Sequence, residues 1–253
     1  SLRSLSLSSS VSQESNNYMR LSDCAFSEIS STVSTPSEDT ELTIIEHCIQ
    51  AFGAVEMCES GVELHSLSAA LESFIPIFDC VLPGGAAGWV RDKAKKDFRM
   101  NLGKLREAMG YLNVKTTEEL FDAEEKGSGE TLGCEGLLWM KRNLQMILLL
   151  VRFLWEDYKE HGKVTRKVRD HLGESYKQTL KGCYNWIGRK GFSMGLRFAP
   201  DDVQSFAMNL GYDSEKNFLE SSSELLKISG RALNPVIIAM NERRIEIFSK
   251  EII

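Results

Sequence analysis

Residues 97–105 read DFRMNLGKL. Asp97, Asn101 and Lys104 recur at spacings of four and three, and so do Phe98, Leu102 and Leu105. Side chains three and four apart share one helix face. The stretch therefore reads as an amphipathic helix with a carboxylate, an amide and an ammonium aligned beside an apolar stripe. Three different polar chemistries next to apolar residues suit recognition of hydroxyls and amides better than a salt bridge or a proton relay.

Helical periodicity continues on both sides of this stretch. It predicts helices over Leu42–Met57, over Leu64–Val81 with Pro76 as a kink or end, and over Trp89–Leu112. A short helix follows at Thr117–Glu125, then long ones at Glu130–His161, closed by Gly162, and at Thr165–Phe198, closed by Pro200. Asp201–Leu210 starts at an Asp cap. Ser214–Ile253 is a helical pair or one long helix disturbed near Pro235. PGGAAG at 83–88 reads as a flexible joint, and Gly127–Gly129 breaks the pattern. The chain has five prolines, none between Pro83 and Pro200, which favours long helices over short strands. No strand pair or internal repeat stands out. The expected fold is all-α, with about eight helices.

Composition sets the outer limits. Of the 253 residues 42 % are hydrophobic, enough for one large core. Residues 1–40 differ: fourteen are Ser and three are Thr, and apolar residues are sparse. Such a segment cannot offset its ordering entropy and is expected to be a disordered tail. It reads as a linker or transit-like leader, or as a phosphorylated regulatory segment, with the folded domain at 41–253. The net charge of −6 argues against nucleic-acid binding. Six scattered cysteines without a C-x-x-C read as reduced, mostly buried thiols of a cytosolic chain. The longest apolar run, near Met146–Leu154, is too short to span a bilayer and contains Arg152. No secretory leader is expected.

Motifs for catalysis are missing from the sequence: there is no G-x-S-x-G, H-E-x-x-H or phosphate loop. His47, His65, His161 and His171 do not pair at ligand spacing, and each reads as a helix-surface or helix-end residue. No catalytic group, metal or cofactor is expected. Arg91–Arg106 carries seven basic and two acidic side chains, either a solvated face or a contact for phosphate or an anionic membrane. Trp139 opens the run WMKR. Periodicity alone favours a core role, and the alternative is a flat platform for the C–H face of a sugar. Trp186, Phe192 and Leu196 recur at helical spacing, as core or as a wall for a lipid chain, with Trp186 at a membrane–water boundary.

Four blocks, in order, resemble the glycolipid transfer protein family. They are FIPIFDC at 74–80, the D-x-x-x-N-x-x-K of Asp97, Asn101 and Lys104, LLWMKRNL at 137–144, and YNWIGRKGFSMGLRFAP at 184–200. The resemblance covers residues 42–253. It implies a two-layer helical sandwich that binds one glycosphingolipid and carries it between membranes without chemical change. By that resemblance Asp97 accepts from the ceramide amide and a sugar hydroxyl, Asn101 and Lys104 hold sugar hydroxyls, and Trp139 is the stacking platform. Where the family has a His that donates to the lipid amide carbonyl, this chain has Tyr184, whose phenol can donate the same bond. Phe74, Phe78, Phe98, Leu138, Phe192 and Leu196 would line the chain sleeve. Trp186, Arg189 and Lys190 would touch the bilayer in transient docking by a cytoplasmic monomer.

Two alternatives accompany that reading. The stretch from Asp79 to Asp97 is long, which permits a register at Asp92 and Lys96 resembling the ceramide-1-phosphate branch. The Asp97 register is preferred because its apolar offsets match, and because the phosphate branch carries a basic residue where this chain has Trp139. The other alternative is a lipid sensor or interaction module that does not transfer.

Overall fold

The computed structural model describes residues 42–82, 88–127 and 131–246. The expected tail at 1–40, most of the PGGAAG joint and the chain end after 246 lie outside them. Among the described residues the chain forms α1 (Ile44–Gly53), a hairpin of β1 (Met57–Cys58) and β2 (Gly61–Val62), α2 (Leu64–Ser73), α3 (Ile77–Val81), α4 (Gly88–Leu112) and α5 (Thr117–Lys126). Then come α6 (Leu132–His161), α7 (Val168–Thr179), α8 (Trp186–Gly195), a 3-10 turn at Leu196–Phe198, α9 (Val203–Asn209) and α10 (Glu215–Glu242).

Local chemistry sets most of these boundaries. Helices α1 and α5 open with capping boxes, Thr43 with Glu46 and Thr116 with Glu119. Gly162 closes α6 with φ +71°, the left-handed cap that glycine adopts without a Cβ penalty. Helix α9 is capped by Asp202, not Asp201: the Asp202 carboxylate accepts from Ser205 N–H at 2.7 Å, while Asp201 pairs with Lys167 and Arg169.

The structure decides between the alternatives at Pro76 and Pro235 and corrects several other expectations. Pro76 separates α2 from α3, because it has no N–H with which to continue the ladder. By length and composition the 18 residues Leu64–Val81 could cross a membrane, but they are two helices, and most of their residues are buried against other helices. The expected single helix at Thr165–Phe198 is α7, a turn over 180–185, α8 and the 3-10 turn; the Asn185 side chain accepts from Gly188 N–H and restarts the helix. Helix α1 stops at Gly53, and the next residues form the unexpected hairpin, in which Met57 faces Val62 and Gly61 takes φ +103°. Two residues per strand are too few for a period-two pattern to register in the sequence. Pro235 is accommodated inside α10, which is one helix.

Packing places α4, α6 and α7 in one layer, with α5 at its side, and α1, α2 and α10 in the other. Helix α6 meets α10 across the layers, and α2 meets α4. Leu137, Met140, Leu150 and Leu154 of α6 are fully buried. Burial of such side chains contributes roughly 1.5–3 kcal/mol each before ordering costs.

Buried charges tie the layers together. Lys141 Nζ donates to Glu246 at 2.9 Å, and Arg142 grips the same carboxylate at 2.8 and 3.1 Å. Burial pushes the Lys141 ammonium down against Glu246, while burial opposes and the two cations outweigh it to hold Glu246 low. At the start of α6 the Glu124 carboxylate accepts from Gly133 and Cys134 N–H at 2.7 and 2.9 Å, satisfying helix-end donors. Cys48, Cys80 and Cys134 are buried free thiols, Cys58 is exposed and Cys183 half-buried. Burial pushes Cys48 and Cys80 up to about 12, so both stay protonated. His171, expected at a helix surface, is buried, and its Nε2 lies 3.2 Å from Asp157.

Candidate functional site

The site begins with a helix crossing. A Cβ on Gly136 of α6 would sit 2.5 Å from the Asn101 carbonyl oxygen and 3.2 Å from Lys104 Cβ on α4. Only glycine lets the two backbones approach this closely. Glu135, Trp139 and Asn143 follow one another at spacings of four on α6, and so face Asp97, Asn101 and Lys104 of α4. With Ala94, Met100 and Tyr184 they line one cleft of about 200 Å³. The structure thus brings all five sequence-predicted headgroup residues together. Asp92 and Lys96 of the rival register are exposed and do not line this cleft.

Polar groups in the cleft are oriented by their neighbours. Asn101, nearly buried, donates from Nδ2 to the Asp97 carbonyl at 2.8 Å. Asp97 pairs with Lys93 one turn earlier at 3.1 Å. Lys104 Nζ donates to Glu135 at 2.9 Å, and Asn143 Nδ2 to the Trp139 carbonyl at 2.8 Å. The cleft is therefore lined by one ammonium against two carboxylates, with two amides, a phenol and an indole.

An aromatic column closes one side. The Tyr184 ring stacks on Trp139 with centroids 5.7 Å apart and planes at 23°. Tyr176 stacks on Tyr184 at 6.3 Å, and Phe192 of α8 on Tyr176 at 3.7 Å. The Arg142 guanidinium lies 5.1 Å from the centroid of the Trp139 ring, within cation–π range. Burial, and then the Asp97 charge, push the Tyr184 phenol up to about 12, so it remains a hydrogen-bond donor.

The expected sleeve residues share one apolar core: Phe74, Phe78 and Phe98 are buried in it, and Leu138, Phe192 and Leu196 pack half-buried against it. Phe78 meets Phe98 at 5.7 Å where α3 joins α4, while Phe74 packs edge-on against Phe52 at 5.4 Å. Leu138 is half-buried against the core. Phe192 lies on Tyr176, and Leu196 lies beside Gly173 of α7. The two groups approach at Gly195, where a Cβ would be 3.2 Å from Val90 and 3.4 Å from Leu82.

Of the expected docking residues, Trp186 is 70 % exposed on the first turn of α8, with Lys190 Nζ 4.8 Å from its ring centroid. Arg189 Nε donates to the Tyr184 carbonyl at 2.8 Å, linking α8 to the cleft wall. Sequence reasoning overlooked Trp89, 53 % exposed, whose ring is 3.5 Å from where a Gly191 Cβ would lie. It also overlooked Glu135 and Asn143, although their four-residue spacing about Trp139 was available as a signal.

The fold is a predominantly helical one with a polar cleft between two crossed helices. The glycolipid transfer protein (GLTP) family model matches residues 62–211, more than half of the chain, and the chain belongs to that family. It is 28 % identical over 196 residues to pleckstrin homology domain-containing family A member 8 of Bos taurus, covering 71 % of this chain and 34 % of that protein. The chain thus spans about a third of that relative's length. It is 24 % identical over 190 residues to glycolipid transfer protein 1 of Arabidopsis thaliana, covering 70 % of this chain and 86 % of that one. The crystal structure of mouse ceramide-1-phosphate transfer protein in its apo form superposes with a TM-score of 0.66 at 15 % identity, covering 81 % of this chain and 98 % of that chain.

Proposed function

We propose that residues 41–253 form a soluble carrier that takes one glycosphingolipid from a membrane and delivers it to another without chemical change. The observation that carries this reading is the convergence of Asp97, Asn101, Lys104, Trp139 and Tyr184 on one cleft at the α4–α6 crossing. Hydroxyls of a sugar both donate and accept. They match a lining of carboxylates, amides, an ammonium and a phenol beside an indole face. A ligand that covers these partly exposed groups without offering hydroxyls takes them from water and leaves them unpaired, which is a source of discrimination.

Charge favours a sugar over a phosphate. The lining itself holds two carboxylates and one ammonium, and the nearby cations are engaged, Lys93 by Asp97 and Arg142 by Glu246, so among the described residues no free cluster of cations awaits a phosphate there. The ceramide chains would enter between the Phe78–Phe98 pair and the Phe192–Leu196 face, gaining about 0.8 kcal/mol per buried CH₂ relative to water. Most of that gain cancels, because the lipid leaves another apolar medium, so headgroup contacts set selectivity. Trp186, with Arg189 and Lys190, would rest at the membrane interface, where Trp is enriched and cations meet anionic lipids.

A fluorescence transfer assay between vesicles tests the reading, with labelled galactosylceramide, ceramide-1-phosphate and phosphatidylcholine. Selective movement of galactosylceramide is expected. Selective movement of ceramide-1-phosphate would overturn the sugar assignment, and movement of none would leave a family fold used as a sensor or interaction module.

A further inference from the structure

We infer that Tyr184 sets the size of headgroup this chain accepts, by walling the cleft so that one hexose fits and a second does not. The inference rests on the carrier reading above. At about 200 Å³ the cleft is small, whereas sites for drug-sized ligands run about 300–1,000 Å³. One of its walls is the flat Tyr184 ring, which already covers part of Trp139.

That wall is held from several directions. Tyr176 stacks behind it, and Phe192 of α8 stacks behind Tyr176. Gly188, in the first turn of α8, leaves so little room that a Cβ there would sit 3.1 Å from the Tyr184 ring. Arg189 holds the Tyr184 carbonyl. Arg142 lies against the Trp139 ring and is itself fixed by two hydrogen bonds to Glu246. A ring clamped in this way resists displacement, because close-packed side chains have nowhere to move without opening a void. The turn at 180–185 matters for the same reason: by interrupting the helix between α7 and α8 it delivers the ring into the cleft.

Exclusion here is steric and differs from recognition by Asp97 and Asn101. Loss of a hydroxyl partner weakens every sugar lipid, whereas loss of the wall admits larger ones. Ring and hydroxyl are separable as well: Tyr184→Phe keeps the wall and removes the donor.

The test compares transfer of galactosylceramide and lactosylceramide with one acyl chain, between phosphatidylcholine vesicles, for wild type, Tyr184→Phe and Tyr184→Ala, with melting temperatures measured alongside. Wild type is expected to move the one-sugar lipid about tenfold faster or more, the scale of discrimination a shaped pocket achieves. Tyr184→Phe should keep that ratio, and Tyr184→Ala should bring it toward one by raising lactosylceramide transfer. Should Tyr184→Ala not fold, Tyr184→His offers a smaller ring, and its ratio must fall below wild type. The inference is overturned if wild type shows no preference, or if the Ala or His variant slows both lipids by one factor. If wild type moves galactosylceramide, either result sinks the wall alone; if it moves neither lipid, the carrier reading falls first.

Discussion

Gly136 lies so close to Asn101 that a Cβ at this glycine would sit 2.5 Å from the Asn101 carbonyl oxygen. The contact sets the α4–α6 crossing, and the crossing sets the cleft. In an isolated helix Gly→Ala gains up to about 1 kcal/mol. Gly103 of α4 has no atom within 4 Å of its would-be Cβ and is exposed, so Gly103→Ala should raise the melting temperature. Gly136→Ala should lower it, because a backbone oxygen cannot yield as a side chain can, and such overpacking costs about 1–3 kcal/mol. A thermal melt of the two variants checks both signs, and stabilisation by Gly136→Ala would mean the helices are not locked at this point.

Asp97→Val separates folding from binding. The Asp97 carboxylate is partly exposed and forms an ion pair with Lys93 in the same helix, a surface pair of the kind that contributes between about 0 and 1 kcal/mol. Stability should change little. Transfer of neutral glycolipid should nearly vanish, because the cleft loses the acceptor for amide and hydroxyl protons. Wild-type transfer by this variant would mean the register is wrong.

Trp139→Ala removes the surface on which Tyr184 and Arg142 both rest. Glycolipid affinity is expected to fall by about 1–3 kcal/mol, through lost stacking and packing. Titration with a short-chain galactosylceramide reads this directly. Unchanged affinity would refute the platform role.

How much of this was legible depended on where the information lay. Helices α4 and α6 run for 25 and 30 residues, so a 3.6-residue pattern repeats many times and names the facing residues in advance. The same rule that paired Asp97 with Asn101 reaches Glu135 and Asn143 from Trp139. The break before α8 is harder to see: Leu180 and Tyr184 keep helical spacing, and the interruption is marked only by Gly182 and by the Asn185 cap. Arg142 and Glu246 are 104 positions apart, and nothing local announces their pairing. His171 reads as a helix-surface residue because its partner, Asp157, comes from the preceding long helix.

That last pair gives a pH dependence. Asp157 accepts from Thr165 N–H at 2.8 Å, the Thr165 hydroxyl at 2.7 Å, Arg166 N–H at 3.1 Å and His171 Nε2 at 3.2 Å. Burial alone would raise this carboxyl, but the donors outweigh it and hold Asp157 at about 2, against an ordinary value of 3.8. A depressed carboxyl stabilises the fold above its unfolded value, and that stability drains away as pH falls from about 4 toward 2. His171 acts earlier: burial lowers its pKa below 6.5, with the Asp157 bond opposing, so the unfolded chain takes up that proton first. Stability should therefore decline below about pH 6.5 and again below about pH 4, the second step on the order of 2 kcal/mol. Urea unfolding across pH 2–8 measures both steps. Asp157→Asn should be less stable at pH 7, because its amide NH₂ faces donors, yet should lose less between pH 4 and 2. An undiminished loss in that range would place the acid sensitivity elsewhere.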